Sequence, residues 1–251
     1  MSTPAPVVAT QNETPALSQV ERVVDTFVAP SKTFTDIRRS SSWWLPWLLG
    51  AIVGLAMVSI VDRKVGFDKV AENQLQLQPK QAAKLDQLPP DQRAQRMEMS
   101  SKLTKEISYS FPIFTLIIVA VMAAVLMGTF NFGMGAEIRF SQCYAISMYA
   151  FLPGTIKALL VILTLMIGTG ENFTFQNQLA SNLGVLFDPN SNHFLYSVAS
   201  SIDLFSIWTL VLTGIGYSCV TRVKRGACMA VVFGWWAVVT LGGAAIGSLF
   251  S

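Results

Sequence analysis

Along this chain, long apolar stretches without a charge alternate with short charged ones, and the apolar stretches have the length of a bilayer crossing. The first runs from Trp43 to Val61 and stops at Asp62, Arg63 and Lys64. At about 1.5 Å of rise per residue it nearly matches a hydrocarbon core of about 30 Å. Trp43, Trp44 and Trp47 stand at its start, where indoles settle in the headgroup layer. Pro46 falls in the first turn, where its missing N–H costs little. Further apolar stretches cover about 111–130, 143–167, 196–220 and 227–249. Backbone groups in lipid must be paired within the segment, so at these lengths only helices can cross. The pattern predicts an all-α bundle of about five transmembrane helices.

The third stretch is long for one crossing and contains Pro153, Gly154 and Lys157. Two geometries fit it. One is a single kinked, tilted helix, the reading preferred here. In the other, 141–152 lies along the interface and the crossing begins near Pro153.

The polar segments follow a different rule. Residues 62–108 are rich in Gln, Lys, Glu and Asp, with good helix formers on either side of Pro89 and Pro90. Met97, Leu103 and Ile107 give them only a thin apolar face, which predicts an extramembrane helical hairpin in water. Gly133 and Gly135 allow a tight turn in the connector before the third stretch, where Glu137 and Arg139 read as a local solvated pair. Residues 168–193 are polar and Asn-rich and carry turn signals, and 221–226 form a short basic connector. Residues 1–19 are rich in Pro, Thr and Ala. They lack the apolar core of a secretory signal and read as a disordered tail.

Composition agrees with a membrane protein. Charged residues make up 13% of the chain, about half the share that a water-facing surface needs, and the mean hydropathy is +0.47. The net charge of +3 comes without a basic stripe, so nucleic acid is not an expected partner. Cys143, Cys219 and Cys228 fall in or beside apolar stretches without ligand spacing and read as small buried hydrophobes. His193 is the one histidine, and neither a phosphate-binding glycine loop nor a serine elbow occurs. The expectation is a protein with no catalytic residue, cofactor or metal.

Five crossings place the two termini on opposite faces. With a cytoplasmic N-terminus, that face holds Arg22, Lys32, Arg38, Arg39, Arg139, Arg222, Lys224 and Arg225. The other face holds a similar number, all in the long 62–108 segment. Short loops weigh more than long ones, and the short 221–226 connector is basic while 168–193 has no Lys or Arg. This predicts a cytoplasmic N-terminus and a C-terminus on the opposite face.

Several residues stand out as candidate sites. Lys157 is the one base well inside an apolar stretch, and an intramembrane charge asks for a partner; Asp203, near the start of the next stretch, is the candidate. Asp203 is also placed to cap its helix, and Lys157 to snorkel to an interface. Gly214 and Gly216, with Gly243 and Gly247, give the last two stretches small-residue faces suited to helix packing, within the bundle or between copies. Residues 20–42 form an amphipathic segment. In it Phe27 and Phe34 could enter the interface while Lys32, Arg38 and Arg39 meet lipid phosphates, or the segment could dock on the bundle. Ser31 reads as the N-cap of its second short helix.

That segment, VVDTFVAPSKTFTDIRRSSSWWLPWLLG, resembles the region before the first crossing in bacterial members of the Yip family, the Ypt/Rab-interacting membrane proteins. The run Asp203-Leu204-Phe205-Ser206-Ile207-Trp208, followed by Gly214, Ile215 and Gly216, is similar to that family's fourth crossing, and Tyr149 to Pro153 to its third. The resemblance covers about 20–250 and implies five crossings, a cytoplasmic N-terminus and a bacterial inner-membrane location. It implies a role in trafficking or membrane organisation for eukaryotic members and no settled activity for bacterial ones. The polar insertion after the first crossing is longer than the connectors typical of eukaryotic members. The expected function is a non-enzymatic scaffold that organises the lipid bilayer and other membrane proteins or further copies of itself. The alternative is a small solute or ion transporter using Lys157 and Asp203.

Overall fold

The computed structural model describes residues 16–188 and 192–250, the side chains of 249 and 250 excepted. Most of the predicted tail, 1–15, and the centre of the DPNSN turn lie outside the described residues.

The N-terminal segment folds into two short helices. Helix α1, Gln19–Val28, starts in a capping box: the Ser18 hydroxyl accepts from the Glu21 N–H (3.2 Å) and the Glu21 carboxylate accepts from the Ser18 N–H (2.7 Å). Helix α2, Pro30–Asp36, opens on Pro30, whose fixed φ suits a first helical position. Ser31 therefore lies inside the first turn and is not its cap. Its hydroxyl accepts instead from Arg225 (3.2 Å).

Helix α3, Trp44–Lys64, is the first crossing. Two of the three tryptophans at its start are engaged in packing: Trp43 sits edge-on to Tyr144, and the Trp47 indole donates to the Pro112 carbonyl (3.1 Å).

The polar insertion holds three helices, not two: α4 (Phe67–Gln76), α5 (Pro79–Asp86) and α6 (Pro90–Tyr109). Pro79 opens a helix just as Pro90 does, and that second start divides the segment. Nor is the insertion free in water. Phe67 and Val70 are buried with Val58 and Val61 of α3, and Lys105 and Tyr109 reach Asp62 at 2.9 and 3.0 Å. Asn73 donates to the carbonyls of Glu171 and Phe173 (2.7 and 3.0 Å), joining the insertion to the loop that follows the third crossing.

Helix α7, Phe111–Gly128, ends in a widened turn over Thr129–Gly133. Among the described residues no ion pair joins Glu137 to Arg139; the connector is held by Asn131, which bonds both backbone groups of Ile138. The third crossing is α8 (Phe140–Ala150) followed by α9 (Leu152–Ile167). The interruption falls at Phe151, and Pro153 lies in the first turn of α9, as a kinked helix requires. Every residue from Cys143 to Ala150 is buried. Helix α8 is thus the axis of the molecule, with Phe34, Leu126, Phe130, Leu212 and Tyr217 packed around it.

The fourth stretch is not one helix. Helix α10, His193–Ser201, stops before Ile202, and α11, Leu204–Val220, starts after Asp203. Helix α12, Arg225–Phe250, closes the chain. Among the described residues four helical segments are long and apolar enough to cross a bilayer, and α11, with 17 residues, is a shorter fifth.

The segment before α10 also departs from its polar reading. Leu183–Leu186 form a short 3-10 turn that turns Val185 and Leu186 outward, and the backbone of 181–183 pairs with that of 202–204 at the helix break.

Candidate functional site: a charge pair at a broken span

The break at Asp203 is built by local chemistry. Its extended backbone ends α10, and one carboxylate oxygen caps α11, accepting from the N–H groups of Phe205 (3.1 Å) and Ser206 (3.2 Å). The other oxygen accepts from Lys157 Nζ at 3.2 Å and from the Ser181 hydroxyl. Above it, Asn182 accepts from the Gly184 N–H and donates to Asn177 (both 2.9 Å). Non-helical backbone is tolerated inside a membrane protein where such partners satisfy it. Asp203 is 2% exposed.

Lys157 is more open. It lies on α9 about 15 Å from that helix's far end, at 1.5 Å per residue, and its side chain keeps 22% of its surface accessible. Lys157 and Asp203 form one end of a cavity of about 660 Å³ between α7, α9, α11 and α12. Ile117, Val121 and Val125 line it from α7, and Trp235 and Val239 from α12. These five side chains are exposed, so the cavity opens sideways from the bundle. At the other end the Trp235 indole N–H donates to the Thr129 hydroxyl (3.0 Å), tying α12 to the end of α7.

A second buried pair escaped the sequence reading. Arg22 and Asp36 form an ion pair at 2.6 Å, with side chains 2% and 8% exposed, and Arg22 also donates to the Ser40 carbonyl (2.8 Å). The hydroxyls of Thr26 and Thr33 both donate to the Arg22 carbonyl. The pair fastens α1 to α2 and sets the rotation of α1. Val23 and Phe27 turn toward the bundle, with Phe27 edge-on to Trp208 at 5.6 Å. Val20, Val24 and Val28 turn outward. The Tyr149 hydroxyl donates to Gln19 (2.8 Å) and pins α1 to α8.

This arrangement corrects the expected lipid contacts. Phe34 is fully buried against α11, so its side chain does not reach lipid as predicted, while Phe27 is half-buried and packs on Trp208. Docking on the bundle takes both. Lys32, Arg38 and Arg39 are exposed, and Asp25, at 2.8 Å, raises the Lys32 ammonium above the ordinary lysine range through its hydrogen bond.

The glycines also divide. A Cβ on Gly216 would collide with the branched Ile146 beside Phe34, so close packing requires glycine there, whereas one on Gly214 would meet only the flexible end of Met229. Gly247 only touches His193, and Gly243 has nothing within 4 Å. Among the described residues nothing lies against Gly243, so it takes no part in packing within the bundle.

One signal for Arg22 was present: Arg22 and Thr26 stand one helical turn apart, a polar stripe within an otherwise valine-rich helix. Asp36, fourteen residues on, gives none, and nothing marked Ser181 or Asn182. Among the described residues no group of three His, Cys, Asp or Glu side chains could hold a metal ion.

Neither the curated proteins nor the solved structures contain a match to this chain. A protein-family model described as the Yip1 domain matches residues 24–246. That is nearly the whole chain, which therefore belongs to the Yip1 domain family and is a membrane protein.

Proposed function

We propose that this member of the Yip1 domain family is a non-enzymatic scaffold of the bacterial inner membrane, with its N-terminus in the cytoplasm. It holds other membrane proteins and the surrounding bilayer through a fixed surface at its N-terminal end. The observation that carries this reading is the construction of α1 and α2. A buried ion pair and two threonine hydroxyls lock α1 to α2, and Phe27, Phe34 and the Tyr149–Gln19 hydrogen bond hold them on the bundle. Val20, Val24 and Val28 face outward, with Lys32 and Arg38 also exposed. A helix rotated to show its valines is a contact surface and has no place for a reacting molecule. The bases near it and in the 221–225 connector support the cytoplasmic assignment.

The test uses the full-length protein extracted in mild detergent. A reproducible set of co-purifying membrane proteins is expected, and it should be lost when Val20, Val24 and Val28 are all replaced by Ser. Saturable movement of a solute by the purified protein in liposomes would overturn the scaffold reading.

A transporter is the second reading, favoured by the cavity that Lys157 and Asp203 line. Against it, Asp203 already receives four hydrogen bonds and so closes a helix break. Flux that depends on Lys157, and disappears in Lys157→Met, would favour it over the scaffold.

A further inference from the structure

We propose that the sideways cavity between α7 and α12 binds one neutral lipid from the bilayer. Its chain lies along α7 and α12, and a carbonyl oxygen of its uncharged head accepts from Lys157 Nζ. The proposal is independent of the scaffold reading, since a lipid can occupy this site whatever the N-terminal surface holds.

Three observations lead to it. The first concerns donors. A lysine ammonium has three N–H donors, and among the described residues Asp203 is the one hydrogen-bond partner of Lys157. Two donors are therefore left over on a side chain that lines a cavity made almost wholly of apolar groups. Where lipid replaces water, a donor without an acceptor is costly. Whatever enters must carry acceptor oxygens.

The second is charge. Asp203 already cancels Lys157, so the polar end of the cavity is neutral as a unit. A formal anion gains little there and would lose its own hydration. An uncharged head with ester or ketone oxygens supplies acceptors without adding a charge to an apolar surrounding.

The third is size and access. The lining of α11 from Asp203 to Thr213 is about 15 Å long at 1.5 Å per residue. The cavity offers about 660 Å³, inside the range of small-molecule sites, which suits one extended chain. Because Ile117, Val121, Val125, Trp235 and Val239 are exposed, such a chain enters from the surrounding lipid.

The experiment reconstitutes the full-length protein in phosphatidylcholine vesicles containing a diacylglycerol with a diazirine on one acyl chain. After irradiation, labelled positions are mapped by peptide mass spectrometry. Labelling should concentrate on Ile117–Val125 and Trp235–Val239, well above Ile52 and Leu163, which are exposed on other faces. Unlabelled diacylglycerol should compete, and phosphatidylglycerol should not. Val121→Trp, at an exposed position that leaves the core intact, should abolish the concentration of label. Lys157→Met should weaken it about tenfold, the effect of one lost hydrogen bond from a charged donor. Labelling no higher than at Ile52 and Leu163 would mean surrounding lipid only and would overturn the proposal. So would equal competition by phosphatidylglycerol, or protein-to-protein crosslinks across α7 and α12, which would make a second copy the occupant.

Discussion

Arg22–Asp36 and Lys157–Asp203 are two ion pairs withdrawn from water, and they are closed to different degrees. In the first, the side chains are 2% and 8% exposed, and the guanidinium also serves the Ser40 carbonyl. In the second, the carboxylate is as deeply buried, at 3%, but the lysine keeps 22% and faces a cavity. Arginine's planar fork suits a pair closed on all sides, whereas the single ammonium of lysine leaves donors over. A closed pair fixes helices in place. A pair open on one side fixes a helix break and still offers hydrogen bonds to a visitor.

The contrast breaks most sharply at Arg22. Arg22→Met leaves the Asp36 carboxylate buried without its partner, a loss of about 3–5 kcal/mol. Thermal unfolding in detergent should move down accordingly, and α1 should become the first site of proteolysis. Asp203→Ala is expected to come next, at about 2.5–4 kcal/mol. It removes a helix cap worth about 1 kcal/mol and a charge-assisted hydrogen bond worth about 1.5–3. Asp203→Asn keeps the cap and should recover part of that loss. If Asp203→Ala proved more damaging than Arg22→Met, the ranking by closure would be wrong.

Glycine sharpens the comparison at the N-terminal end. On Gly216 a Cβ would collide with Ile146 and crowd Phe34 of α2, so Gly216→Ala should destabilise by about 1–3 kcal/mol through overpacking. Gly243→Ala meets nothing and should leave the melting temperature unchanged, as a matched control. Lys157→Met should cost less, about 1 kcal/mol, because Asp203 retains Ser181 and two backbone donors. A large drop in melting temperature for Lys157→Met would show the open pair to be as structural as the closed one.

How much of this could be read from the sequence depended on distance along the chain. The apolar stretches were legible because each reports its own burial: α3, α7 and α12 need no partner to explain why they cannot face water. The interruption near Pro153 was legible for the same local reason. The helix break at Asp203 was not. The run from 196 to 220 carries one charge, Asp203, which reads as a cap near a helix start, and what ends α10 before it is a strand-like pairing with Ser181–Leu183, some twenty residues earlier. The rotation of α1 was hidden too. Periodicity locates the apolar face of a helix, but here the buried Arg22–Asp36 pair decides which valines face inward. Val20 and Val24 face outward although they lie within one helical turn of Val23 and Phe27, which face the bundle. Gly214 and Gly243 look alike in sequence, and only the presence of Met229 beside one of them separates them.

The smallest expected effect lies beside the closed pair and depends on pH. The Glu21 carboxyl is held below the ordinary glutamate range, first by the Ser18 backbone N–H and then by its hydroxyl. A carboxyl lowered on folding contributes stability above its unfolded value and loses that contribution as pH falls through the lowered one. The capping box should therefore open only below the usual glutamate range, fraying the first turn of α1 while the rest stays folded. Hydrogen exchange at the Glu21 and Arg22 amides, corrected for the intrinsic rate, should accelerate in that window, and Glu21→Gln should flatten the dependence. The amides of Phe205 and Ser206, which Asp203 caps beneath the 181–186 segment, should keep their protection over the same range. Equal acceleration at both places would mean that acid reaches the two caps alike, and that Asp203 is no better shielded than an exposed helix start.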